Sequence, residues 1–172
     1  MEPQIAQIAQ IFTDAFALKS HSAEVFHRFY FSSKNNVTLD QTNLLNFMSL
    51  NDLSYAVRGA IFKVYNALGP GLLESVYEAA LEYELTEMGF QTNRQVNLPV
   101  IYNEVKLEAG FRIDMIVENK LLIEIKSVED IHAVHHKQVI TYLKLSGMEL
   151  GLLVNFNTED IMKSIYRKIN DR

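Results

Sequence analysis

Three charged residues stand where a core strand should hold none: Asp114 and, ten residues later, the run Glu124-Ile125-Lys126, each set among apolar neighbours. Burying charge costs free energy unless something offsets the lost water, and a bound divalent cation is a usual agent. A fold for this chain must therefore bring these groups together or leave them on a wet face.

Phe111-Arg112-Ile113-Asp114-Met115-Ile116-Val117 alternates apolar and polar over most of its length. Leu121-Leu122-Ile123-Glu124-Ile125-Lys126 does so from Ile123 onward, which is the period of a strand. Glu118-Asn119-Lys120 reads as the turn between them. Pairing Val117 with Leu121 sets Met115 against Ile123 and Ile113 against Ile125, one wholly apolar face, and it sets Asp114 against Glu124. Slipping by one residue would put Met115 against Leu122 and Ile113 against Glu124, so the pattern itself selects the first register. Directly opposed residues lie roughly 5 Å apart at Cβ, close enough for two carboxylates to share one hard cation. Arg112 and Lys126 flank the pair. The same pattern also fits a surface hairpin that carries its charges on a solvated face.

The rest of the composition sets bounds. A chain of 172 residues, 48% hydrophobic and 22% charged, suits one well-buried α/β domain with an appendage. Without cysteine it can form neither a disulfide framework nor a thiolate metal site. No apolar run approaches the length of a membrane span, and the N-terminus lacks the basic start and apolar block of a secretory signal; a cytoplasmic protein with no membrane partner is expected. A net charge of −5 argues against a general high-affinity binder of duplex DNA, since such affinity comes from many Lys and Arg. Nucleic acid would have to meet a local basic patch, and the tail with Lys163, Arg167, Lys168 and Arg172, a helix or a last strand, is the only basic cluster.

Residues 1–47 read as an N-terminal extension, helical or partly disordered: they hold no Gly and one Pro, and Ile5, Ile8 and Ile11 form a short drifting helical stripe. The folded domain is expected over 48–172, with Ser49 as a helix cap, Asp52 three residues on, and Met48 as a candidate start. A helix over Leu53–Leu68 is stopped by Gly69-Pro70-Gly71. A second follows, with Leu73, Val76, Tyr77, Ala80, Leu81 and Met88 as its buried stripe and Gly89 as its C-cap. Glu74 falls in its first turn, where helix-start electrostatics alone would explain a carboxylate. Tyr77 shares that face. Val96, Leu98, Val100 and Tyr102 suggest a strand that Pro99 confines to an edge or a bulge. After the hairpin, a helix of roughly Ile131 to Ser146, capped by Asp130 and closed by Gly147, projects His135, Gln138 and Tyr142 from one side. His132 and His136 have the spacing of a two-histidine metal pair, though a wet helix face explains them as well. Gly151–Phe156 reads as a strand buried on both faces.

Gly71-Leu72-Leu73-Glu74-Ser75-Val76-Tyr77 resembles the signature of the GxxExxY family, and Asp114 with Glu124-Ile125-Lys126 resembles the active-site pattern of the PD-(D/E)XK nuclease superfamily to which that family is assigned. His135 to Gln138, Tyr142-Leu143 and Gly151 to Asn157 resemble it too, so the likeness covers about residues 52–169. It departs at Ile113, where many members have proline. The resemblance implies a restriction-endonuclease-like α/β core, α-β-β-β-α-β, with a mixed four-stranded sheet flanked by helices. It implies a nuclease acting on DNA more readily than RNA, in which Asp114, Glu124 and the Ile125 carbonyl hold Mg²⁺ or Mn²⁺. Lys126 would orient water or stabilise developing charge, Glu74 would ligate through water or support a second ion, and Gln138 would position the nucleophile. Tyr77, Arg112, His135 and Tyr142 are candidate substrate contacts, and a homodimer is compatible. The alternative is a binding or scaffold module that keeps the fold without the chemistry.

Overall fold

Ser49 begins the fold as a helix cap: its Oγ accepts the Asp52 backbone N–H at 3.2 Å and donates to the Asp52 carboxylate at 2.6 Å. It lies near the start of a computed structural model that describes residues 48–171. The expected extension over 1–47, including the Ile5, Ile8 and Ile11 stripe, lies outside the described residues. Helix α1, Leu50–Leu68, buries Leu53, Ala56, Val57, Ala60, Ile61 and Val64 at helical spacing. Gly69 and Gly71, both at positive φ, then reverse the chain into α2, Glu74–Glu87.

The buried face of α2 differs from the expected stripe. Tyr77, Glu78, Leu81 and Leu85 are inside, whereas Leu73 is 74% exposed and Val76 40%. Leu73 precedes the first helical turn, and the inward place that apolar spacing assigned to Val76 is rotated by about one residue to admit Glu78.

Among the described residues, five strands form one mixed sheet in the order β1-β2-β3-β4-β5. They are β1 Thr92–Tyr102, β2 Val105–Val117, β3 Leu121–Lys126, β4 Leu150–Asn155 and β5 Ile165–Ile169. Only β3 and β4 run parallel, and helix α3, Ala133–Ser146, supplies the crossover that such a pair requires. The expected four-stranded core is β1 to β4; the basic tail, after a short 3₁₀ turn at Ile161–Ser164, adds β5 antiparallel to β4. Pro99 sits on the edge strand at a register shift. The start of α3 is two residues later than expected, because His132 rather than Asp130 occupies the cap and its backbone N–H is taken by His135 Nδ1 at 3.1 Å. Gly151 lets α3 come close: a Cβ there would stand 2.9 Å from Val139 and 3.4 Å from Leu143. Strands β3 and β4 are almost wholly buried, so their ends near Lys126 and Asn155 lead directly out of the core.

Candidate active site

The β2–β3 ladder follows the expected register, Val117↔Leu121, Ile116↔Leu122 and Met115↔Ile123, and stops there. At the next step Asp114 replaces backbone pairing with its side chain, Oδ2 accepting the Ile125 N–H at 2.8 Å. The expected pairings of Asp114 with Glu124 and of Ile113 with Ile125 are therefore both corrected. Ile113 and Ile116, which strict alternation sends to opposite faces, both join the cluster of Leu122, Leu153, Val139, Tyr142 and Leu143. A side-chain acceptor has claimed an N–H the ladder would have used, and the strands part at their charged end.

Glu124 lies beneath that opening, 1% exposed. Its Oε1 accepts from Lys126 Nζ at 2.5 Å, while Oε2 is buried with no hydrogen-bond partner among the described residues. Burial, and then the Asp114 charge, push the Glu124 pKa up to about 7 against the pull of Lys126. Burial likewise raises Asp114 to about 6; the Ile125 N–H and Lys126 oppose it, and the Glu78 and Glu74 charges add to it. Burial works to lower the Lys126 pKa, but the Glu124 contact and the charges of Glu124, Asp114 and Glu74 outweigh it and keep the ammonium protonated. The expected convergence of Asp114, Glu124 and Lys126 is thus present, with too little positive charge at hand for two ionised carboxylates.

Helix α2 meets this cluster through its first turn. Glu74 Oε1 accepts the Ser127 N–H at 3.2 Å, and Ser127 Oγ donates to the Leu72 carbonyl at 2.6 Å, so the turn before α2 is tied to the residue after Lys126. Tyr77 holds the turn from inside: its hydroxyl donates to the Gly69 carbonyl at 2.7 Å and accepts the Leu72 N–H at 3.1 Å. Its ring is fully buried and stacks on Phe156 at 4.3 Å. Tyr77 is therefore placed to support the site rather than to touch a substrate. Asn155, 4% exposed, clamps the other flank by donating to the Val128 carbonyl at 2.8 Å and accepting the Val128 N–H at 3.1 Å.

Tyr142 lies within reach of the Glu124 and Asp114 charges, and Gln138 Nε2 donates to its hydroxyl at 2.7 Å. Burial raises the Tyr142 pKa, the Gln138 bond opposes this, and the Glu124 charge adds to it. His135 is half-buried at the start of α3; burial and the nearby Lys126 lower its pKa, and Glu74 acts the other way. Arg112 is not drawn into the cluster: it is exposed along an open cleft of the β1–β2 hairpin with Asn97, Lys106 and Phe111. His132 and His136 do not form a pair, since His132 caps α3 and His136 meets Tyr166 edge-on at 4.8 Å.

Four neighbours escaped the sequence: Glu78, Gln95, Ser127 and Asn155. Glu78 carried a signal, since it is one turn from Glu74 and so shares its helix face. Asn155 lies within the Gly151 to Asn157 stretch of the resemblance, and Gln95 and Ser127 carried no signal.

Among the described residues no group of three or more His, Cys, Asp or Glu is assembled as a metal nest. The donor set still fits a hard cation. Mg²⁺ retains several waters and needs only one or two protein carboxylates, and here the buried Glu124 Oε2 lacks a partner beside Asp114.

Comparison with protein families gives a match to the PD-(D/E)XK nuclease superfamily over residues 51–168. Comparison with curated proteins and with solved structures gives no match. Because the family match runs through every helix and strand described above, this chain belongs to the PD-(D/E)XK nuclease superfamily.

Proposed function

We propose that this chain is a divalent-metal-dependent nuclease that hydrolyses phosphodiester bonds, with DNA preferred over RNA and with a GxxExxY-type arrangement around Glu74. The observation that carries the proposal is Glu124: a carboxylate 1% exposed, with one oxygen on Lys126 and the other unpartnered beside a second carboxylate. A purely structural ion pair would satisfy both oxygens. Asp114, Glu124 and the Ile125 carbonyl would hold Mg²⁺ or Mn²⁺, which when bound polarises the phosphodiester and acidifies a water.

Each side chain then has a task of its own. Lys126 keeps its proton at neutral pH and, among the described residues, gives one of its three N–H bonds to Glu124, leaving the others for a water or a phosphoryl oxygen as negative charge builds there. Asp114 spends one oxygen on the Ile125 N–H, which sets the direction of the other. Glu74, tied to Ser127, adds negative charge at the edge of the site. Gln138 offers an amide at the opposite edge, steadied by Tyr142, to position a water or phosphate.

Cleavage assays on linear, nicked and single-stranded DNA and on RNA, with Mg²⁺, Mn²⁺ or chelator, test the proposal beside calorimetric metal titration. Metal-dependent cutting is expected. A second reading, a binding or scaffold module that keeps the fold, is favoured by the Lys126–Glu124 pair, which already supplies one positive charge to the cluster. A wild-type chain that binds no divalent ion and cuts none of these substrates decides for that second reading.

A further inference from the structure

Five non-glycine residues among those described have positive φ, and four of them, Asn103, Glu104, Glu118 and Asn119, lie in the two hairpin turns. The fifth is Gln95, at φ 52°, in the middle of β1. On either side of it the register is regular, Arg94↔Met115 and Val96↔Ile113, which would place Gln95 opposite Asp114. That pair alone is missing from the ladder between Asn93 and Pro99. A left-handed residue turns its peptide groups away from the strand plane, so the pairing fails at that step.

Such a conformation in mid-strand lasts only where the surroundings hold it. Here a buried carboxylate on α2 does so. Glu78 Oε2, on a residue 5% exposed, accepts from Gln95 Nε2 at 2.8 Å and from Arg94 Nε and Nη2 at 3.4 Å each, and Arg94 Nη1 is tied to Glu82 at 3.1 Å. The consequence falls on Asp114. It has no partner in the ladder toward β1 and none in the ladder toward β3. Its carboxylate instead accepts the Ile125 N–H at 2.8 Å.

We propose that the left-handed backbone of Gln95, pinned by Glu78, releases Asp114 from the sheet so that its carboxylate can turn to the Ile125 N–H and into the site. Gln95 and Glu78 are positioning residues, and the proposal rests on the nuclease reading only for what Asp114 does once positioned. Strain of this kind, held near a reactive group by contacts outside it, is a recurrent means of presenting a functional side chain.

The test compares Gln95→Val, a β-branched residue that resists positive φ, with Gln95→Gly, which adopts it freely. Gln95→Val is expected to speed amide exchange at Ile125 about tenfold through loss of its carboxylate acceptor, and to weaken Mg²⁺ or Mn²⁺ binding about 10- to 100-fold. Gln95→Gly is expected to restore both readouts although the amide is gone, which a role for the side chain in packing would not allow. If Gln95→Val does not fold, Gln95→Ala supplies the same comparison with Gly. Unchanged Ile125 exchange and metal affinity in Gln95→Val overturn the proposal, and so does a Gly variant as impaired as the Val variant. A wild type that binds no metal, with Ile125 exchange still responding to Gln95→Val, sinks the nuclease reading and leaves this proposal standing.

Discussion

The turn end and the charged end of the β2–β3 hairpin belong to the same two strands and satisfy their backbones in different ways. At the turn, Glu118 and Asn119 both adopt φ 53°, the Lys120 N–H closes on the Val117 carbonyl at 3.0 Å, and three successive residue pairs carry the ladder. Met115, Val117, Leu121 and Ile123 are fully buried there. At the other end the ladder gives way to a carboxylate: Glu124 is buried and paired with Lys126, and Asp114 beside them is half-buried. One end stabilises the fold through apolar burial, and the other is held in place by it. The difference shows that the site is tolerated because its foundation, a few residues away, is regular.

That contrast can be broken most severely at the charged end. Asp114→Ala and Lys126→Ala should each reduce metal-dependent cleavage by about 10²-fold or more. Calorimetry should separate them, with Asp114→Ala losing metal affinity and Lys126→Ala largely keeping it; equal metal binding in both would dissolve the division of labour. At the turn end, Ile123→Ala should cost about 2–5 kcal/mol of stability in denaturant unfolding while leaving the metal affinity of the folded protein unchanged.

A third prediction uses pH. Asp114 and Glu124 are held at about 6 and about 7, above the ordinary carboxylate values of 3.8 and 4.5. A group raised in the folded state contributes stability that is full below its unfolded pKa and is lost as pH rises through the folded one. This pair should therefore make the metal-free protein lose stability between about pH 4 and about pH 7. Asp114→Asn, neutral throughout, should flatten that slope and gain about 1 kcal/mol at neutral pH while binding metal poorly. Thermal melts across pH, with chelator, measure the difference; a parallel slope in the variant would contradict the buried-charge account. The smallest effect is expected at Glu74→Gln, which can still accept the Ser127 N–H and loses only charge, so cleavage should fall by less than about tenfold.

Much of this is legible in the sequence. The alternation of Met115, Val117, Leu121 and Ile123 selected the hairpin register, because a slip would have exposed the apolar set. The Gly69-Pro70-Gly71 stop and the Ser49 cap marked helix ends through local chemistry that needs no tertiary partner. Asp114, Glu124 and Lys126 stood out as candidates since charge in an apolar run is conspicuous wherever it occurs, whereas Glu74 became one only through the GxxExxY resemblance. Leu73 and Val76 misled, because apolar spacing does not announce that a glutamate will claim the inner face of α2.

The sequence by itself thus determined the β2–β3 hairpin, the register at its turn end and the charged residues at its other end, all consequences of periodicity and nearest-neighbour chemistry. Only the tertiary structure decided where the ladder stops, that Glu78 lies inside, that Gln95 is turned left-handed opposite Asp114, and that one oxygen of Glu124 is left without a partner. Each of these depends on hydrogen bonds between residues far apart in the chain, from α2 to β1 and from β2 to β3, and no local pattern records which distant acceptor a backbone N–H will find.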